Sequence, residues 1–420
     1  MTKIFFKTFG CRVNQAETSL LMESFSNQNF LLTNDFKNAD IAVINTCALT
    51  KNSEHDLNLF LNKITKYNPE IKIALIGCLS ELKKDFFFKT PNINWIIGNE
   101  KKLELVEIIT NNFNHKNYLL TPPIQKNNFQ TSLIGQDSSR TRASLKIQDG
   151  CNEFCSYCIV PYVRGSLRSR DFNNIINSYQ KLIAKNYKEI IITGINVGKY
   201  FNSEKDLFDL LYALLLVSPN TRLRLSSIEP NTINQEKLIN LLNKFPNFCQ
   251  FLHMPLQSGS EKILKLMNRK YTIEDYQEIV SNLHQAFPNL AIGTDVIVGF
   301  PEETDSDFNI TYELLKHLPL SYFHIFSYSD RPGTKSEALT NKVSPQVIKK
   351  RSKILRDLSL EKKQKFIDSQ LNLEKPILFE EKKDGLWVGH TDNYLKIHLK
   401  SEENLRNKFI NVKLCKDLIF

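Results

Sequence analysis

Apolar positions along the chain keep two rhythms, and each marks a different stretch. Up to about residue 125, short continuously apolar runs alternate with stretches of helical periodicity. Residues 4–8 read as a strand, Gly10-Cys11 as a turn and residues 14–28 as a helix. Residues 41–45 (Ile-Ala-Val-Ile-Asn) and 71–76 are short buried strands, ending at Thr46-Cys47 and Gly77-Cys78. Residues 53–66 are helical between them, and 95–97 make a fourth strand. The pattern predicts a small parallel sheet wrapped by helices.

From Arg142 to about Ser336 the chain repeats strand, loop and helix. The strands fall at 143–148, 189–193, 222–226, 251–254, 292–298 and 322–326, with helices such as 173–185, 207–216 and 273–286 between them. Six such units predict a partial (β/α)6 TIM-like barrel, whose active site belongs at the C-terminal strand ends. Residues 344–371 read as one basic helix, for which a solvated face is the default. Residues 374–420 are short and alternating, as in a small antiparallel β-barrel of the kind that binds oligonucleotides. The fold class is therefore α/β, in four pieces: 1–125, 140–340, 344–371 and 372–420. Residues 114–140, with Pro122-Pro123 and few apolar positions, read as a linker.

Composition adds limits. The 420 residues are 41% hydrophobic and 24% charged, as in ordinary globular proteins. No apolar run of membrane length appears, and the first residues lack the apolar core of a signal peptide. A cytoplasmic protein with no membrane partner is expected. The net charge of +10 suits a polyanionic partner without requiring one. Eight cysteines in such a chain favour metal or redox chemistry over disulfides.

Six of those cysteines fall into two sets. Cys151, Cys155 and Cys158 are spaced CxxxCxxC. Three thiolates so spaced can hold three corners of a cubane iron–sulfur cluster and leave one iron open. Zinc, which takes four ligands and paired spacings, and three buried free cysteines are the alternatives. Cys11, Cys47 and Cys78 each follow a predicted strand, so a parallel sheet would bring them to one edge. Otherwise they are unrelated small hydrophobes. Cys249 and Cys415 fall in no motif.

The CxxxCxxC spacing resembles the signature of the radical S-adenosylmethionine (SAM) enzymes. Thr8–Gln15 (TFGCRVNQ), Asn45-Thr46-Cys47, Gly77-Cys78 and the run from Gly150 through Cys158 to Gly165 together resemble the radical SAM methylthiotransferases over essentially the whole chain. The opening motif, Lys146–Gly150 (KIQDG) and Gly389–Tyr394 (GHTDNY) are most similar to the branch that acts on threonylcarbamoyladenosine at position 37 of tRNA. Other branches act on isopentenyladenosine or on a ribosomal-protein aspartate. One departure is Glu302, where the family usually has Gly; a turn needing positive φ would strain it.

The resemblance implies two [4Fe–4S] clusters, on Cys151, Cys155 and Cys158 and on Cys11, Cys47 and Cys78. The first would reduce SAM to a radical that takes hydrogen from the adenine, and the second would deliver methylated sulfur. It further implies a TRAM-like end domain, the tRNA anticodon loop as partner and a flavodoxin- or ferredoxin-type electron donor. Position after the barrel strands nominates Gly194, Asn196, Ser227, Glu229 and Gln257 as SAM contacts, with Asp295 within the fifth strand and Tyr157 between the cluster cysteines; a helix cap, a buried hydrogen bond or a place in the core is the alternative for each. Arg164, Arg168 and Arg170, with Trp387, Tyr394 and Lys396, are candidate RNA contacts by charge and by base stacking; a solvated loop is the alternative for the arginines and the barrel core for Trp387. No catalytic residue beyond the cysteines is nominated.

Overall fold

The computed structural model describes residues 1–113, 117–125, 129 and 140–419. Most of the expected linker, including 126–128 and 130–139, lies outside the described residues.

The N-terminal part is a six-stranded parallel sheet. Its spatial order is Leu31–Thr33, Lys3–Thr8, Ile41–Thr46, Lys72–Gly77, Ile93–Ile97 and Tyr118–Leu120. Every residue of Ile41–Thr46 is buried, because helices cover both faces. Ala42 and Ile44 pack towards helix Lys51–Tyr67, while Ile41 and Val43 pack towards helix Arg12–Asn27. The two strands absent from the sequence reading are the edges. Each has three residues and is half-exposed, so neither leaves an apolar run to read. Tyr118–Leu120 also corrects the linker, whose first half completes the sheet.

The central part holds the six expected strands, each end within two residues of its expected place. Arg142–Lys146, Glu189–Thr193 and Arg222–Leu225 form one parallel sheet, and Phe251–His253, Ala291–Val298 and Tyr322–Ser327 a second. The Leu223 N–H donates to Asn247 O (2.9 Å) and the Cys249 N–H to Leu223 O (2.9 Å), joining the sheets into one open arc. One large cluster of Leu, Ile, Val, Phe and Tyr fills the space between arc and helices.

Helix Pro345–Gln370 covers the exposed edge of the arc. Ser359 Oγ accepts from the Phe323 N–H at 2.9 Å and donates to Phe323 O at 2.8 Å. Leu355 and Leu358 join the barrel core, and Arg351 pairs with Glu303 (2.6 Å) and Asp305 (2.7 Å). An edge strand needs such a cover, so the helix is more than the solvated basic element its charge suggested. After it, Lys396–Lys400, Leu386–His390, Glu374–Lys383 and Phe409–Lys413 form an antiparallel half-barrel in that order. Among the described residues no helix is long and apolar enough to cross a membrane.

Glu302 does adopt the left-handed conformation expected for glycine, with φ +71°. Its backbone N–H donates to Asn341 O (2.9 Å), and its carboxylate accepts from the Asn341 side-chain amide (2.6 Å). These bonds offset the cost of the conformation.

Candidate active site

The loop Cys151–Cys158 follows the first barrel strand and is held from several sides. Gly150 has φ +70°, and a Cβ there would lie 2.0 Å from Ser166 O, so only glycine fits. The Ser156 N–H donates to Met267 O (3.0 Å), and Ser156 O accepts from the Ser336 N–H (2.8 Å). Asn268 donates to Glu153 O (3.2 Å) and Phe154 O (3.1 Å). The cysteine positions are thus fixed by segments far away in sequence. Burial pushes the Cys158 thiol up to about 12. Burial also raises Cys155, against the pull of Arg269, whose Nη1 donates to Cys155 Sγ at 3.3 Å.

Cys11, Cys47 and Cys78 follow the strands Lys3–Thr8, Ile41–Thr46 and Lys72–Gly77. The parallel sheet brings them to one edge, close enough that Cys78 raises the thiols of both Cys11 and Cys47. Gly10 permits the approach. Its φ is +94°, and a Cβ there would sit 2.7 Å from Cys47 Sγ. Burial, then Cys78, push the Cys47 thiol up to about 11.

Arg164 Nε donates to Cys78 Sγ at 3.2 Å. Its other nitrogens reach Glu17 (2.9 Å), Asp149 (3.0 Å) and Asn14 (2.6 Å). Lys102 (2.6 Å) and Lys146 (2.7 Å) complete the ring around Glu17, which is fully buried. This network lies between sheet and barrel and ties one to the other. Burial would raise the Glu17 carboxyl, but Arg164, Lys102 and Lys146 outweigh it and hold it well below its ordinary value.

A cavity of about 810 Å³ runs along the inner face of the barrel strands, from Gly194, Ser227 and Phe326 near their C-terminal ends to Phe251, Ala291 and Tyr322 where their strands begin. All three parts of the molecule line it: Cys11 and Arg12 from the first, Gly194, Ser227, Asp295 and Tyr322 from the barrel, Tyr394 and Lys396 from the half-barrel. Asp295 accepts from His253 Nε2 (2.9 Å) and lies 3.2 Å from His324 Nδ1. Burial would raise its carboxyl, but these two histidines hold it down at about 2.

Among the nominated SAM contacts, Gly194, Ser227 and Asp295 face this cavity, and Tyr157, Asn196, Glu229 and Gln257 are not part of its lining. Glu229 is ion-paired with Arg269, which also reaches the Tyr157 hydroxyl at 3.4 Å. The Asn196 N–H is held by Gln148 Oε1 at 2.7 Å. Gln257, at φ +69°, uses its backbone to bridge onto the fifth barrel strand.

The nominated RNA contacts divide more sharply. Tyr394 and Lys396 line the cavity. Arg164 is 1% exposed and committed to the ionic network, so it presents nothing to RNA. Arg170 is 3% exposed and bonded to Asn174 and Ser178. Arg168 is turned inward onto Ser166 O (2.8 Å) and Arg164 O (3.1 Å). Trp387 is 7% exposed in the half-barrel core and offers no stacking face. Each of the three arginines, once desolvated, found an internal partner. Arg269, which touches the central cysteine loop, escaped the sequence reading because no spacing announces a buried arginine.

Residues 145–315 match the model of the radical SAM superfamily, and residues 3–98 match an uncharacterized protein family, UPF0004. The fold is also that of radical SAM proteins. A methyltransferase of this class, TsrM from Kitasatospora setae, superposes with TM-score 0.56 at 12% identity, covering 78% of this chain and 73% of its own. A threonylcarbamoyladenosine tRNA methylthiotransferase of Aquifex aeolicus is 34% identical, covering 94% of this chain and 96% of its own length. A tRNA-2-methylthio-N(6)-dimethylallyladenosine synthase of Thermodesulfovibrio yellowstonii is 32% identical, covering 98% and 96%.

Together these define a radical SAM enzyme carrying an extra N-terminal sheet. The chain belongs to the radical SAM methylthiotransferase family, and it is an enzyme of sulfur-group transfer.

Membership implies a [4Fe–4S] cluster and SAM, and the donor sets fit such groups. Among the described residues, the one trio of potential ligand atoms all within 4.8 Å of one another is His253, Asp295 and His324. Zinc–sulfur bonds of about 2.3 Å would require sulfurs closer than that, so neither cysteine set is arranged for one zinc ion. Each set instead has a buried guanidinium on one sulfur, Arg269 on Cys155 and Arg164 on Cys78. Such cations favour thiolates over thiols.

Proposed function

We propose that the chain methylthiolates C2 of threonylcarbamoyladenosine at position 37 of tRNA. The observation that carries this reading is the three-sided cavity, where Cys11, the inner face of the barrel strands and Tyr394 meet one space. In this reading residues 1–125 are the methylthiotransferase domain and 140–340 the radical SAM core. Residues 344–371 are a basic helix and 372–420 a TRAM-like RNA-binding domain.

Cys151, Cys155 and Cys158 would hold one [4Fe–4S] cluster with SAM on its open iron, and Cys11, Cys47 and Cys78 would hold a second. When bound, these groups supply the radical, the sulfur and the methyl that exchange an unactivated C–H for C–S–CH3. The chain's own contribution is positioning. Arg164 and Arg269 neutralise thiolate charge at the two sets. His253 and His324 hold Asp295 ionised at the cavity wall, where it can accept from SAM or ribose hydroxyls. Lys396 and the Tyr394 hydroxyl line the cavity, where they would meet the RNA. A cytoplasmic flavodoxin- or ferredoxin-type donor is the reductant this chemistry calls for.

Nucleoside analysis of tRNA from a deletion strain is the test, with loss of the methylthio form of threonylcarbamoyladenosine as the expected result. Loss of the isopentenyl derivative, or of a methylthio group from a ribosomal protein, would assign the substrate to another branch. Reconstituted protein should carry about eight iron and eight sulfide per chain, as two cubane clusters require.

A further inference from the structure

Four arginines surround the place where the three parts meet, and three are committed. Arg142 pairs with Glu380 at 3.1 Å. Arg224 chelates Glu189 (2.7 and 3.1 Å) and donates to the backbone oxygens of Thr391 (3.1 Å) and Asp392 (2.9 Å). Arg222 donates to the backbone oxygens of His390 and Pro376. Arg12 differs. Among the described residues no carboxylate lies within ion-pair distance of it, and its side chain donates to the Tyr394 hydroxyl at 2.9 Å. A guanidinium carries five donors in a planar fork, and Arg12 lines the cavity, so donors are left over for a group bound there.

The surroundings suit an anion. Arg224, Arg142 and Arg12 lie 4.8, 5.3 and 6.0 Å from the centre of the Tyr394 ring. Tyr394 is held at φ +71° and stacked on His390, ring centres 5.0 Å apart. A non-glycine residue in that conformation persists only where its surroundings enforce it, so the hydroxyl has a set position. Burial would raise that hydroxyl's pKa, yet Arg142 and then Arg12 leave it below its ordinary value, which reports positive potential there. Arg12 also directly follows Cys11.

We propose that Arg12, positioned by Tyr394, is the specificity residue that binds a carboxylate on the base modification of the substrate nucleoside. The proposal rests on the function proposed above. Threonylcarbamoyladenosine carries one carboxylate on its base substituent, and an isopentenyl group carries none. A bidentate guanidinium–carboxylate pair suits this discrimination, because an uncharged substituent would leave the half-buried fork unpaired.

The test uses anaerobically reconstituted full-length enzyme and three anticodon stem-loop RNAs, identical except that position 37 carries adenosine, isopentenyladenosine or threonylcarbamoyladenosine. Binding and the KM and kcat of methylthiolation are measured for each. The wild type should prefer the carboxylate-bearing RNA, and Arg12→Gln should reduce that preference by about tenfold to a hundredfold, chiefly through KM. Tyr394→Phe, which keeps the ring and removes the hydroxyl, should reduce it less. If Arg12→Gln does not fold, Arg12→Lys takes its place: it keeps the charge, loses the fork and should still lower the preference. An unchanged preference in these variants, or equal weakening towards all three RNAs as for a phosphate contact, overturns the proposal. A wild type that prefers another RNA defeats the underlying substrate assignment instead.

Discussion

Cys151, Cys155 and Cys158 lie in one loop, whereas Cys11, Cys47 and Cys78 come from three strand ends. The first set has its spacing built into the chain, and distant segments have only to hold the loop still. The second exists only once a parallel sheet has the right register, since sliding one strand would remove one cysteine from the edge. A local set is therefore defined by its motif, and a dispersed set by the fold that gathers it. Arg164 connects the two: it follows the loop of the first set in sequence and touches Cys78 of the second.

The comparison breaks most decisively at the cysteines. Cys155→Ala with Cys158→Ala is expected to abolish 5′-deoxyadenosine formation from SAM. Cys47→Ala should leave that cleavage running and lose the methylthio product. Each should lower iron from about eight to about four per chain. If Cys47→Ala retained full iron, the dispersed set would hold no cluster.

Next in size is the link. Arg164→Met leaves Glu17 and Asp149 short of a buried cation and should cost about 3–5 kcal/mol in denaturant unfolding of the metal-free protein. A cost below about 1 kcal/mol would mean that sheet and barrel do not depend on it.

Acid titration sharpens the same point. The Glu17 pKa is lowered in the folded state, so its contribution is present above the ordinary value of 4.5 and lost as pH falls towards the folded value. Metal-free protein should therefore lose stability progressively below pH 4.5, and Arg164→Met should show a shallower acid slope. Equal slopes would place the acid sensitivity elsewhere. The smallest effect belongs to Glu302→Gly, which relieves a left-handed residue but deletes its bonds to Asn341; unfolding should change by no more than about 1 kcal/mol.

The barrel was legible because strand, loop and helix recur six times, a pattern long enough to survive strands such as Arg142–Lys146 and Arg222–Leu225 that carry charges between their apolar positions. The edge strands Leu31–Thr33 and Tyr118–Leu120 were not, since a short strand covered on few sides needs few apolar residues. The cysteine sets were legible from spacing and from position after strands. The arginines misled: Arg164, Arg168 and Arg170 look like a phosphate-binding cluster in sequence, yet all three turn inward to partners brought there by the fold. Trp387 misled for a similar reason, because a strand's alternation does not say which face is covered.

The contact of Arg12 with Tyr394 also has a consequence in time. A chain emerging from the ribosome presents its first sheet and the barrel before its half-barrel, and leading segments tend to fold first. Both cysteine sets are then complete while one wall of the cavity is still missing. A molecule that has not reached Tyr394 would hold every cysteine of the two sets yet lack the Tyr394 and Lys396 wall of the cavity, so the last wall to be synthesised is the one against which Arg12 is set.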